Sequence, residues 1–479
     1  MIPSQPLYPV RARALILLIV VGSVGQWLIL SLRLPFFESL SGWFWKGHYT
    51  PLHAPMVLAF PVLSAAGVMA LIHRHPNRTR LHLLLLVLLG YVLQAGFAAA
   101  EGRGLEALRD RMRAGGPSEF ARIAADRPSP WRVATRYEEV LKTGEIPDSV
   151  YLKTKPPGTL LLYILAERCT GAFFRGEASA DERRLNLATF ASYTFPLLAC
   201  LAIVPLYWLS KMLLGKEAAL LAPLLFLFAP SVILITLSLD QAVFPTILLT
   251  SVGLSVHAVI RDNVRIGFLS GIAVFLATFV SFSLIPAPAL AILFALSFLV
   301  RHGPEQASVR RVGRFVLAFF AGIGVTSIAF KLLFGYDAVS RFQNSMVVHV
   351  TTKYYNPSLR TTLLYAVLNC LEFAWWIGLP IAALALAGVT ISLRRLAGSR
   401  PATMDRFCLA LVATVLLLGL FGKTKGESAR LWLSLVPLAC LMAARAWPVP
   451  CFRSFRGFLY LIATLQFLSV LFFKLYQDA

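Results

Sequence analysis

The chain is 479 residues long, 58% hydrophobic and only 14% charged, a balance that excludes a soluble globular protein of this length. Its net charge of +22 comes from basic residues in short clusters between apolar runs, so there is no basic domain to hold a nucleic acid. Six cysteines (Cys169, Cys200, Cys370, Cys408, Cys440 and Cys451) are scattered without a CxxC or Cys/His group, which excludes a zinc finger and a disulfide framework.

The first apolar run follows Arg11 and Arg13 and continues past Trp27 without a small-residue cleavage site. It reads as a retained signal anchor with the N-terminus in the cytoplasm. Further spans are predicted at 54–73, 81–100, 188–210, 218–237, 242–260, 266–282, 285–300, 315–334, 363–391, 407–421, 431–447 and 457–475. With the first, at 12–32, these make an all-α polytopic membrane protein of about 13 transmembrane helices. The stretch after Thr159 is interrupted by Glu167 and Arg168 and falls short of the roughly 20 residues a span needs. Treating 159–174 as a non-spanning helix puts Arg74/Arg78/Arg80, Lys211/Lys216, Arg261/Arg265, Arg301/Arg310/Arg311/Arg314, Arg394/Arg395/Arg400/Arg406 and Arg445/Arg453/Arg456 on the cytoplasmic side. The long loop then lies outside.

That loop, Glu101 to Pro156, breaks the apolar pattern with carboxylates and arginines. Trp131, Val133, Tyr137, Val140 and Leu141 recur at helical spacing and predict one amphipathic helix in the membrane interface. Leu105, Leu108 and Met112 predict a second. Glu119 opens a further helix as an acidic first-turn residue, and Glu101 directly follows a span. A carboxylate at the bilayer surface can serve as general base on an acceptor hydroxyl or ligate a divalent cation.

Three later outer elements carry polar residues. Ser238-Leu239-Asp240-Gln241 places an aspartate at the membrane edge, where it needs a partner or water. The segment Tyr336 to Arg360 holds Arg341, His349 and Lys353. Lys423, Lys425, Glu427 and Arg430 cluster before the span at 431–447, and cations outside run against the charge rule. They suit a lipid-linked phosphate, which arginine can grip through two oxygens.

The loop ends in Lys155-Pro156-Pro157-Gly158. Together with Arg184-Leu185-Asn186 before a span, Ser238-Leu239-Asp240, and Arg430-Leu431-Trp432 leading to Pro437, this order resembles the membrane glycosyltransferases of the C superfamily (GT-C). Their members include the aminoarabinose transferases and the family 39-type protein O-mannosyltransferases. The resemblance covers the chain after Leu81 and implies a GT-C-like domain at 81–479 with an outer loop at 101–187; residues 1–80 form a two-span N-terminal addition. Where such enzymes carry an acidic pair, this chain has Ser118-Glu119.

The resemblance implies transfer of a sugar from a polyprenyl-phosphate donor to a lipid, glycan or protein acceptor, on the outer face of a bacterial inner membrane. Glu119 is then the base, with Glu101 as the second choice and Asp240 orienting it or a cation. Lys155, Lys423, Lys425 and Arg430 hold the donor phosphate; Arg341, His349, Lys353 and Glu427 line the substrate. A flippase for a lipid-linked saccharide would use the same basic cluster without making a bond, but its spans would carry midplane charges, which are sparse here. An O-antigen-ligase type of enzyme would use a diphosphate-linked donor and an outer Arg/His site, for which Arg341 and His349 qualify.

Overall fold

The computed structural model describes residues 9–32, 49–75, 77–113, 118–144, 146–147, 149–174, 179–236, 238–299, 306–352, 358–398, 401–421, 428–447 and 456–477. Among these residues the regular structure is helical, with no β-strand. Nine helices among them are long and apolar enough to cross a membrane, from Arg13–Ser31 to Gly457–Tyr476. Val264–Val280, Phe282–Leu296 and Leu433–Arg445 are shorter apolar helices. The chain is an integral membrane protein, since backbone of this apolar character satisfies its hydrogen bonds in lipid only as helix.

Several predicted spans are divided between helices. The one predicted at 218–237 holds two short buried helices, Leu221–Leu227 and Pro230–Leu234. Pro230 lacks an N–H to extend the first helix and instead opens the second, where its fixed φ is suited to the first position. Residues 363–391 form Leu359–Trp376 and Leu379–Ala397, parted at Gly378. Gly378 has φ +85°, and a Cβ there would lie 1.9 Å from the Gln466 side chain. Gln466 uses that approach to donate to the Ile377 carbonyl at 2.9 Å. Only glycine meets both conditions.

The first helix, Pro9–Ser31, is knit into the same bundle. Trp27 stacks on Phe472 at 5.4 Å and donates to Ser469 Oγ at 3.0 Å, while Gln26 donates to the Trp375 carbonyl at 2.9 Å.

The long loop builds a hydrophobic core of its own. Phe120, Ile123, Val133, Tyr137, Val140 and Leu152 pack on Tyr163 and Ile164 of the helix Pro157–Phe173, and on Phe195 and Leu239 at the tops of two spans. The single interfacial helix expected around Trp131 to Leu141 is therefore two, Pro130–Thr135 and Tyr137–Thr143. They part at Arg136, which leaves helical geometry (φ −133°, ψ 36°). This turn sends Val133, Tyr137 and Val140 into protein rather than lipid, and leaves Trp131 exposed beside Phe334. Leu108 and Met112 of Glu106–Arg113 are buried as their spacing predicts. The helix Pro157–Phe173 is not among those long and apolar enough to span; its Glu167 is buried against Arg127 at 2.9 Å.

Candidate active site

The site grows from the corner Lys153-Thr154-Lys155-Pro156-Pro157-Gly158. Ser149 caps the short helix Val150–Lys153, accepting from the Tyr151 and Leu152 amides at 3.1 and 3.4 Å. Pro156 is extended (φ −74°, ψ 167°) and Pro157 opens the next helix. Gly158 rests directly on the end of Val264–Val280: a Cβ would lie 2.4 Å from the Phe279 carbonyl oxygen and 2.7 Å from Val280 Cα. Thr159 pins the contact by donating to the Val280 carbonyl at 2.6 Å. Two rigid prolines and one missing side chain thus set where Lys155 stands.

Lys155 Nζ lies 2.8 Å from Asp240 Oδ2 and 4.8 Å from the centroid of the Phe120 ring. Asp240 occupies the first turn of Leu239–Arg261, whose N-cap Ser238 amide donates to Gln241 Oε1 at 3.3 Å. Helix N-termini favour such a carboxylate. Asp240 is buried, and among the described residues its Oδ1 has no hydrogen-bond partner. Tyr163 stacks on Phe120 at 5.7 Å and its hydroxyl accepts from the Leu239 amide at 3.0 Å. Burial, reinforced by the Asp240 charge, pushes the Tyr163 phenol well above its ordinary value, so it stays protonated.

The second cation is Arg430, whose charge also acts on Asp240. It sits on Ser428–Leu431, a single turn held by the helix Leu359–Trp376. Glu372, buried, accepts from the Ser428 and Ala429 amides at 3.1 and 3.4 Å, and Ser428 Oγ donates to the Asn369 carbonyl at 2.9 Å. A carboxylate on the orphan amides of a helix start is a strong anchor.

Glu119 lies next to Phe120 on Ser118–Ala125. It accepts from Ser149 Oγ at 2.6 Å and has Arg122 at 3.6 Å, with about a fifth of its side chain exposed. Glu101 is placed differently. Its Oε1 receives buried Lys474 and, at 2.7 Å, Arg111, so it ties the last helix to the loop. Arg341 is turned inward and nearly buried, donating to Glu138 Oε1 at 2.8 Å and to the Lys153 carbonyl. His349 lies two turns further along the same helix, Ala338–Thr352. Lys353, Lys423, Lys425 and Glu427 lie outside the described residues.

The structure therefore pairs Lys155 with Asp240 across distant parts of the chain, places Arg430 where its charge is felt at Asp240, and sets Glu119 beside the ring against which Lys155 lies. Sequence reasoning missed Phe120 and Tyr163 as the aromatic floor, Ser149 as the link to Glu119, and Lys474 as the partner of Glu101. The signal for Lys474 was a lysine in the last turn of an apolar span, where a charge needs a partner. Among the described residues no three His, Cys, Asp or Glu side chains converge as a metal site. The Asp240 carboxylate faces the Lys155 ammonium group.

Comparison of the fold gives a clear neighbour. Two structures of the oligosaccharyltransferase of Archaeoglobus fulgidus superpose on the chain, with TM-scores of 0.50 and 0.51. One is the archaeal enzyme AglB in complex with an inhibitory peptide and a dolichol-phosphate, the other the apo form. The fold is GT-C. Each match has 12% sequence identity and covers 83% of this chain, which spans only 56% of the archaeal chain. No protein-family model matches the sequence, and no curated protein matches it.

Proposed function

We propose that this GT-C chain is a glycosyltransferase that moves a sugar from a polyprenyl-phosphate donor to an acceptor at the outer face of a bacterial inner membrane. The observation that carries the reading is the part-buried Lys155–Asp240 pair against the loop core, with the charge of Arg430 also acting on Asp240. The archaeal neighbour was solved with a dolichol-phosphate, itself a polyisoprenoid phosphate, which supports the same donor class here.

In this reading the acceptor oxygen attacks the anomeric carbon as the bond from that carbon to the phosphate oxygen breaks. The acceptor proton passes to Glu119, and the electron pair stays on the departing lipid phosphate. Charge develops on that phosphate, where Lys155 and Arg430 stand ready; pre-placed cations act most strongly in the transition state. Asp240 orients Lys155, Glu372 holds Arg430, and Lys423 and Lys425 draw the headgroup in. His349, Lys353 and Glu427 are the candidate substrate-binding residues. The Lys-Pro-Pro corner supports the aminoarabinose and O-mannosyltransferase branch over other GT-C enzymes.

The test is turnover of radiolabelled polyprenyl-phosphate sugars by purified protein in nanodiscs. Wild type releases free polyprenyl phosphate; Glu119→Gln and Arg430→Ala each lose about 10²-fold or more of the rate. Full activity in folded Glu119→Gln removes Glu119 as the base. Tight donor binding without release, whatever the acceptor, replaces the enzyme by a carrier of the same lipid.

A further inference from the structure

The last three residues before Lys155 share an unusual feature: each offers its carbonyl to a different side chain. The Leu152 carbonyl accepts from the Tyr137 hydroxyl at 3.1 Å, the Lys153 carbonyl from Arg341, and the Thr154 carbonyl from Ser345 Oγ at 2.6 Å. The Leu152 carbonyl also accepts from the Lys155 amide at 3.2 Å, whereas carbonyls at the very end of a helix, such as those of Lys153 and Thr154, depend on partners from outside it. Two of the three donors come from one helix, Ala338–Thr352, about 190 residues further along the chain. Arg341 and Ser345 are one turn apart, which puts them on a single face.

Both donors are fixed. Ser345 is fully buried, and Arg341 has 4% of its side chain exposed, with one arm on Glu138 at 2.8 Å and its guanidinium 5.5 Å from the Tyr137 ring centroid. The planar fork of arginine is what lets one residue serve Glu138 and the Lys153 carbonyl together. Burial pushes the Tyr137 phenol far above its ordinary range, so it too remains a donor at any working pH.

We propose that the helix Ala338–Thr352 is a clamp, and that Arg341 and Ser345 are positioning residues that hold the Lys155 ammonium in place against Asp240. The inference rests on the donor-phosphate role given to Lys155 above. It assigns Arg341 no contact with substrate. Through the clamp, an outer segment from the second half of the chain controls a cation supplied by the first-half loop. The loss of either clamp contact lets the 150–155 turn move while leaving the charges of the site unchanged.

The experiment compares wild type with Arg341→Ala, Arg341→Lys, Ser345→Ala and, as a control on an exposed position of the same helix, Val347→Ala. Two readouts are taken in nanodiscs: amide hydrogen exchange of the 150–155 peptide, and kcat and donor KM. Ser345→Ala and Arg341→Ala are expected to speed exchange at 150–155 by about tenfold. They are also expected to lower kcat by about 10- to 100-fold while KM changes by less than about threefold, because the misplaced group acts on developing charge. Arg341→Lys, which keeps one donor but no fork, falls between; Val347→Ala matches wild type. Exchange at the wild-type rate in both alanine variants overturns the clamp, as does faster exchange with unchanged kcat. If Arg341→Ala fails to fold, Ser345→Ala, which removes a single hydroxyl, decides alone. A wild type that turns over no donor sinks the proposed function, while the exchange data still decide whether the clamp exists.

Discussion

Gly158→Ala tests the geometry of the corner with a single methyl group. Its Cβ would stand 2.4 Å from the Phe279 carbonyl oxygen and 2.7 Å from Val280 Cα. Both are backbone atoms at the end of a helix and cannot rotate away. Non-bonded carbon contacts settle near 3.5–4.0 Å, so the helix Pro157–Phe173 has to withdraw by about 1 Å. Overpacking of this kind costs about 1–3 kcal/mol. The Thr159 bond to the Val280 carbonyl stretches with it, and so does the 2.8 Å contact of Lys155 with Asp240. A 1 Å displacement of a reacting group is worth about 10²-fold in rate. We therefore expect a stability loss of about 2 kcal/mol in an SDS unfolding titration and a fall of one to two decades in glycosyl transfer. Gly313→Ala is the control: no atom lies within 4 Å of its added Cβ, on an exposed face of Gln306–Phe334. There the substitution stabilises the helix by up to about 1 kcal/mol. Wild-type stability together with wild-type turnover in Gly158→Ala would refute the idea that Gly158 seats the corner.

Three other outcomes follow from the ion pairs. Lys155→Ala strands the buried Asp240 carboxylate and destabilises the fold by about 3 kcal/mol; adding Asp240→Asn recovers much of this, giving a coupling energy of about 1–3 kcal/mol in a double-mutant cycle. Additive losses would show that the two side chains do not act as a pair. Lys474→Met leaves Glu101 with fewer cations and lowers stability by about 2–4 kcal/mol, while turnover per folded molecule stays within a few-fold of wild type; a collapse of turnover at full stability would move Glu101 into the chemistry. The Ser340 amide, with Lys331 and the Val339 amide, holds the Asp337 carboxyl below its ordinary value at the start of Ala338–Thr352. A depressed folded value means the stabilisation is present above the unfolded value of about 4 and is lost as pH falls through the folded one. Amide protection at the start of this helix should accordingly drop below pH of about 4 in wild type and be insensitive to pH in Asp337→Ala, measured by hydrogen exchange. Equal pH dependence in both would assign the effect elsewhere.

Much of the architecture was readable from apolar run lengths, because in lipid a backbone has few options besides the helix. The non-spanning helix after the Lys-Pro-Pro corner was readable for the same reason: Glu167 and Arg168 interrupt its apolar run, and Glu167 is indeed buried against protein, on Arg127. The breaks at Pro230 and Gly378 were less readable, since an apolar run does not show where one helix stops and another begins. Gly378 is set by the approach of Gln466, which lies 88 positions away in the chain.

Residue types at the site were also readable, as carboxylates and cations in segments where charge is costly. Their partners were not. Asp240 at the membrane edge demands a counter-ion, but that the counter-ion is Lys155 follows from Gly158 lying flat on Val280 and from two prolines setting the turn. Arg341 stood out in the sequence as a basic residue of the outer segment 336–360, but its neighbours in the fold were not legible there. Only the packing of Ala338–Thr352 on the 150–154 turn makes it an internal donor. Local sequence determined which segments are helical, which are apolar and which charges need partners, because those depend on neighbours along the chain. Which charges meet was decided by the tertiary structure, because an ion pair depends on distances of a few ångströms between residues that no sequence spacing relates.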